Sequence, residues 1–174
     1  MKLPPIIITF FGHREVVNPK TIYKNLFEEL EDWLFRPYNA IIGRDLFFFC
    51  GGTGEFDGIV SRVLRALKKK YPDVPMERVL FTPFTYSYPL KDLSPYYDKI
   101  YPLETLGTED AQIELRDKIM IDLASAAVVY VRYNFGRAKK LYDYAKDKVL
   151  TLKNISDGEP IEHFSSSVIA GETE

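Results

Sequence analysis

One cysteine among 174 residues leaves no partner for an internal disulfide and no thiolate set for a structural zinc site. That residue, Cys50, ends an apolar run, where a thiol is expected to be buried and inert. Two histidines, His13 and His163, are too few to suggest a metal centre, so neither a metal nor another cofactor is expected. No stretch approaches the roughly 18–20 apolar residues of a membrane span. The run "IIITFF" follows Pro4 and Pro5 and passes straight into "GHRE", with no small-residue cleavage site, so a cytoplasmic protein is expected. Both common phosphate-binding fingerprints, G-x-x-x-x-G-K-[ST] and G-x-G-x-x-G, are also missing. A net charge of −2 argues against a general nucleic-acid binder, which usually shows a basic face or stripe, although a net figure says nothing of a local patch.

What is present is an ordinary globular composition, with 46% hydrophobic and 28% charged residues, and an unusual supply of rings, 12 Phe and 12 Tyr. The apolar runs come in short blocks. "IIITFF" (6–11), "DLFFFC" (45–50), "RVLFTPF" (78–84), "AAVVYVRY" (126–133) and "VLTLKNI" (149–155) read as strands buried on both faces. Between them, Ile22, Leu26, Leu30 and Trp33 recur at helical spacing after Asn18-Pro19, an N-cap and first-turn signal. Ile59, Val60, Val63, Leu64 and Leu67 mark a second helix, 109–123 a third and 136–148 a fourth. Residues 84–108 break the alternation with a long Tyr- and Pro-rich connection, a length usually tied to function or disorder.

Strands alternating with helices predict an α/β, Rossmann-like, three-layer doubly wound sheet, mainly parallel, of about five strands with helices on both faces. One domain over 1–155 is expected, followed by a polar, mobile tail over 156–174. In such folds ligands bind beyond the carboxyl ends of the strands, where the strand order reverses. Three stretches land on that edge: "GHRE" after the first strand, "GGTGEFD" after the second and "NFGR" after the fourth.

Glycines between a strand and a helix let backbone N–H groups approach an anion at the helix's positive end. A tight turn needing glycine for its own geometry is the competing explanation. Glu55 and Asp57 also have two readings. They can complement the dipole and cap the first turn, or hold a ribose or act as acid and base beside an N-glycosidic bond. His13 and Arg14 are either solvated or at the rim. Arg116 either joins a solvated surface ion-pair network with Glu114 or Asp117, worth little, or offers a planar phosphate fork. Asn134 and Arg137 start a helix where an anion would be welcome.

Taken in order, "FFGHRE", "FCGGTGEFD", "KKKYP", "LRDKIMIDLASAAVVYV" and "FGRAKKLYDYAKDK" resemble the SLOG superfamily, which includes the Smf/DprA proteins and the lonely-guy phosphoribohydrolases. The nearest branch looks like the small YpsA-like bacterial and phage proteins, with their F-x-G-H-R and G-G-x-G-x-D motifs. The likeness spans about residues 5–155 and implies a Rossmann-like fold that binds a nucleotide-derived ligand. The ligand positions it implies are Gly12, His13 and Arg14; Gly51, Gly52, Gly54 and Asp57; Arg116; and Gly136. Thr53, Asn134 and Arg137 are added as ligand candidates from their place in the same loops. Asp117 stands where that family has Asn, and Phe135-Gly136-Arg137 replaces its late glycine pair. Ile59 or Val60 falls where the phosphoribohydrolases place a catalytic Glu, so their chemistry is not expected.

The reading is therefore a module that binds a nucleotide or nucleotide-derived small molecule, ADP-ribose-like or cyclic, as a sensor or a sequestering protein. A Tyr from 86 to 101 is the expected base-stacking residue. One alternative is a nucleotide N-glycosidase using Asp57 or Glu55; another is an interaction protein with a vestigial pocket. Helix faces of this fold often pair, so a homodimer is allowed.

Overall fold

The computed structural model describes residues 3–35, 44–83, 95–103 and 107–156. The elements run β1 (Ile6–Gly12), α1 (Pro19–Phe35), β2 (Leu46–Cys50), α2 (Glu55–Lys70), β3 (Met76–Pro83) and β4 (Lys99–Leu103). They continue with α3 (Glu109–Leu123), β5 (Ala126–Tyr130), α4 (Gly136–Lys146) and β6 (Thr151–Asn154). All strand pairs are parallel, in the order β4-β3-β2-β1-β5-β6. The expected Rossmann-like α/β sheet is present, with six strands rather than five.

The extra strand lies inside the stretch read as a loop. Its burial alternates toward exposure, with Leu103 its one buried side chain, so it carries no continuous apolar run. Pro102 also speaks against a strand, yet it is admissible at an edge, where one side of the ladder stays unpaired. A buried arginine anchors the approach to β4. Arg78, 5% exposed, donates from Nε and Nη2 to the two carboxylate oxygens of Asp98, each at 3.1 Å, and from Nη1 to the Pro95 carbonyl.

The pleat sends alternate residues of β1 to opposite layers. Ile8 and Phe10 join Leu26, Leu30, Ile59, Val63 and Leu67 beneath α1 and α2. Phe11 joins Ala127, Val129, Leu141 and Ala145 beneath α4, and Met120 of α3 packs on Phe49 and Phe81. Each of these fully buried large side chains stabilises by about 1.5–3 kcal/mol. Asn18 takes a left-handed φ of 54°, and its carbonyl accepts from the amides of Thr21 and Ile22 to start α1.

The chain leaves β1 toward β2 on one side and later adds β5 on the other. The strand order therefore reverses between β1 and β5, which fixes a crevice at their carboxyl ends. Asn154 secures this end of the sheet: its side chain accepts from the Val131 amide at 3.1 Å and donates to the Val131 carbonyl at 2.8 Å. Ser156, where the tail was expected to begin, is buried, with its hydroxyl on the Val131 carbonyl at 2.7 Å. The rest of the expected tail, with His163, lies outside the described residues, as do Tyr86 and Tyr88.

Candidate functional site

Three loops meet at the crevice. After β1, Gly12 passes so close to its neighbours that a Cβ would lie 2.7 Å from the Phe56 ring and 2.9 Å from the Tyr130 carbonyl oxygen. His13 then continues the ladder by donating its amide to Tyr130 at 3.0 Å. Its Nε2 accepts from the Tyr133 amide at 3.0 Å, and its ring stands edge-on to Tyr130. Burial lowers the pKa of His13, so the ring is neutral at pH 7 and Nδ1 carries the proton. Arg14 follows with an exposed side chain, while its carbonyl accepts from the Glu55 amide at 2.8 Å.

The glycine loop after β2 is held from beneath. Arg116, 1% exposed, donates from Nη1 to the Gly51 carbonyl at 2.7 Å and from Nη2 to the Thr53 hydroxyl at 3.0 Å. Its Nε and Nη2 also donate to Asp117 Oδ1 at 3.0 and 2.8 Å. A Cβ at Gly51 would sit 2.6 Å from Arg116 Nη2, so glycine there makes room for the guanidinium. Gly52 has φ +72°, the left-handed region that glycine enters at little cost. Arg116 does pair with Asp117, but the pair is buried rather than part of the solvated surface network expected, and its fork holds the loop's shape.

The two acids of this loop both meet backbone. Asp57 Oδ2 accepts from the Thr53 amide at 2.8 Å, closing the first turn of α2 from within. Glu55 Oε2 accepts from the Val16 amide at 2.7 Å and so ties the β1 loop to α2. Asp117, on α3 and also in the crevice wall, behaves differently. Burial pushes its carboxyl up to about 6, against the pull of Arg116 and with a further push from Asp57. Cys50 is buried, and burial pushes its thiol far above the ordinary range, which removes it as a nucleophile.

After β5 the chain emerges into water. Tyr133 and Phe135 are 36% and 51% exposed, and their rings stack with centroids 5.4 Å apart. Tyr133 also lies against His13, with centroids 5.1 Å apart. Asn134 is exposed between them, Gly136 takes φ +83°, and Arg137 pairs loosely with Asp110 at 3.6 Å. Sequence reasoning missed Tyr133 and Phe135. The available signal was an aromatic-polar-aromatic "YNF" between a strand end and a helix-opening glycine.

The crevice is lined by Gly12, His13, Arg14, Thr53, Gly54, Asp57 and Arg137, with Phe11, Phe56 and Asp117. Gly51 and Arg116 stand behind it, joined to Thr53, while Asn134 and Gly136 are not among its lining residues and their loop reaches it through Arg137. Its free volume is about 10 Å³, room for roughly one water. A larger groove of about 470 Å³ lies elsewhere, between α1 and the end of β6, and carries Glu28, Glu29 and Asp32. The loops converge on the small crevice, so that is where ligand chemistry can act. Two helix N-termini open onto it without a side-chain cap: α2 at Gly54 and α4 at Phe135. By contrast α3, which starts elsewhere, is capped by the Thr108 hydroxyl.

Among the described residues no three His, Cys, Asp or Glu gather to hold a metal, and no helix is long and apolar enough to cross a membrane. No protein-family model matches the chain. A search of curated proteins likewise finds no match. The fold does have a solved counterpart in DNA processing protein A from Helicobacter pylori, described for its single-stranded DNA binding mode. The two share 12% identity, superpose with a TM-score of 0.52, and align over 95% of this chain and 78% of that one. At this identity the likeness supports the Rossmann-like fold alone and reaches neither the superfamily nor its YpsA-like branch. It also corrects the exclusion of nucleic acid drawn from net charge. A protein of this same fold binds single-stranded DNA, and a whole-chain charge of −2 averages over the local surfaces that would do so.

Proposed function

We propose that the protein binds a nucleotide at the rim formed by the loops after β1, β2 and β5, and binds it without consuming it. The observation that carries this reading is the pair of helix N-termini lacking side-chain caps, α2 and α4, aimed at one crevice whose walls bring Arg14 and Arg137. The positive ends of two helices suit a phosphate, and arginine forks suit its oxygens. The exposed Tyr133–Phe135 stack beside them offers a face for the base.

Hydrolysis is less well supported. The carboxylates that an N-glycosidase would need, Asp57 and Glu55, each accept a backbone N–H within 2.8 Å and shape the loop. The nucleotide could be free or part of a strand, since phosphate and base are common to both. The single-stranded DNA binding of the fold's solved counterpart favours the strand.

The test titrates the protein with ADP-ribose, cyclic nucleotides, thymidine monophosphate and oligothymidylate, following thermal stability, and recovers each ligand for mass spectrometry. A bound ligand at 100 times its Kd adds about 2.7 kcal/mol of stability. The expected result is stabilisation by an intact ligand, lost in the Arg14→Gln/Arg137→Gln variant. No stabilisation across the panel overturns the reading, and release of free base would make the protein an N-glycosidase.

A further inference from the structure

The helix that begins at the rim carries another feature on its outward face. Of the five cations of α2, Lys68 pairs with Asp98 and Lys70 with Glu31. The other three, Arg62, Arg65 and Lys69, are exposed and make no ion pair with a described residue. At about 100° per residue they fall with Gly54 and Gly58 inside an arc of roughly 80°, opposite the buried Val60, Val63, Leu64 and Leu67. From Gly54 to Lys69 this line runs about 22 Å down the helix from the crevice.

The line starts at Arg14, whose Cα would lie 3.2 Å from a Cβ on Gly54. Arg62 leans back toward the rim, its Nη1 3.6 Å from where a Gly58 Cβ would be. A groove of about 310 Å³ opens beside it, lined by Pro19, Lys20, Tyr23 and Arg62. On the other flank Arg65 lies over the Tyr96 ring, 5.3 Å from its centroid. Cations in single file with rings alongside match the two components of single-strand recognition, a backbone track and stacking faces.

We infer that the outward face of α2 is a track for single-stranded nucleic acid, carrying the backbone away from the rim along Arg62, Arg65 and Lys69. This rests on the rim reading only for where the strand begins. The chemistry selects the occupant. The track is one helix wide and linear, as a phosphodiester chain is, and two of its three cations are arginines, whose planar forks grip phosphate. An anionic bilayer would require large apolar side chains on the same face, and none of the exposed large hydrophobics lies on α2.

The experiment compares thymidine monophosphate with a long fluorescein-labelled oligothymidylate, by anisotropy across a salt series, in two variants. The Arg62→Gln/Arg65→Gln/Lys69→Gln protein should fold normally, since all three side chains are exposed. It should lose at least tenfold in oligonucleotide affinity, and its slope of log K against log salt should flatten by about 2, or about 0.7 for each lost phosphate contact. Its mononucleotide binding should be unchanged. The Arg14→Gln/Arg137→Gln protein should instead lose the mononucleotide. Unchanged oligonucleotide affinity and slope in the triple variant overturns the track and leaves the rim standing. Mononucleotide binding that fails while stripe-dependent oligonucleotide binding persists overturns the rim and leaves the track. Absence of oligonucleotide binding by the native protein, or equal displacement of the strand by duplex, overturns the track.

Discussion

The loop after β2 and the loop after β5 reach the same rim by opposite constructions. The glycine-rich β2 loop has the sequence of a binding motif and is built as framework: its glycines make room for a buried guanidinium and a left-handed turn, and its acids and hydroxyl are engaged internally. The β5 loop has a nondescript sequence and is built as surface, with two stacked rings, an amide and a loosely held arginine in water. Glycine-rich sequence thus marks where backbone geometry is demanding, and the exposed rings lie on the neighbouring loop, which no glycine motif announces.

The most forceful way to break this contrast is Arg116→Met. It leaves the Asp117 carboxylate without its cation and the Gly51 carbonyl without its donor, both in the interior. Removing one partner of a buried pair costs about 3–5 kcal/mol. Urea denaturation should show a loss of that size, and a loss under about 1 kcal/mol would mean the glycine loop holds its own shape.

Gly52→Ala and Gly136→Ala sharpen the contrast next. Both positions have positive φ, +72° and +83°, so a left-handed alanine should cost about 1 kcal/mol or more at each. A Cβ at Gly52 also meets a Leu80 methyl at 2.8 Å, whereas nothing lies within 4 Å of one at Gly136. The β2-loop variant should therefore be the less stable by roughly a further 1–2 kcal/mol. Equal losses would deny that the β2 loop is packed and the β5 loop open.

How legible each loop was follows from the same physics. Buried parallel strands write themselves as unbroken apolar runs, so "IIITFF", "LFFFC" and "AAVVY" could be read directly and the fold with them. The edge strand Lys99–Leu103 could not, because one buried side chain and a proline leave no pattern. Placing the three loops on one rim needed only topology. Assigning roles within them needed contacts: a charge spacing such as Glu114, Arg116, Asp117 does not reveal that Arg116 turns inward, 1% exposed, to a carbonyl 65 residues away. Nor does "YNF" reveal that both rings stay in water.

Titration tests the framework beneath the β2 loop, where Asp117 holds Arg116. The folded pKa of Asp117, about 6, lies above its ordinary value near 3.9. Its protonated form is thus the one the fold prefers. The stability it contributes is complete below about pH 4 and is lost as pH rises through 6. Asp117→Asn keeps an acceptor toward Arg116 and removes the ionisable group. Relative to the native protein it should gain stability steadily between about pH 4 and 6 and then level off, by roughly 3 kcal/mol at most. A difference curve flat with pH would place that titration elsewhere.

The smallest expected effect on stability is the most telling about the β5 loop. Tyr133→Ala with Phe135→Ala removes two rings already substantially in water, 36% and 51% exposed, so unfolding should shift by no more than about 0.5 kcal/mol for each. The Tyr133 amide that holds His13 Nε2 is backbone and survives the change. Nucleotide binding should fall by about 1–3 kcal/mol per base lost from the stack, roughly five- to 150-fold, measured by anisotropy. A protein that is stable and no longer binds would establish that these rings exist for a ligand. One that is destabilised and binds normally would make them packing, and the two loops would then differ only in how much water they meet.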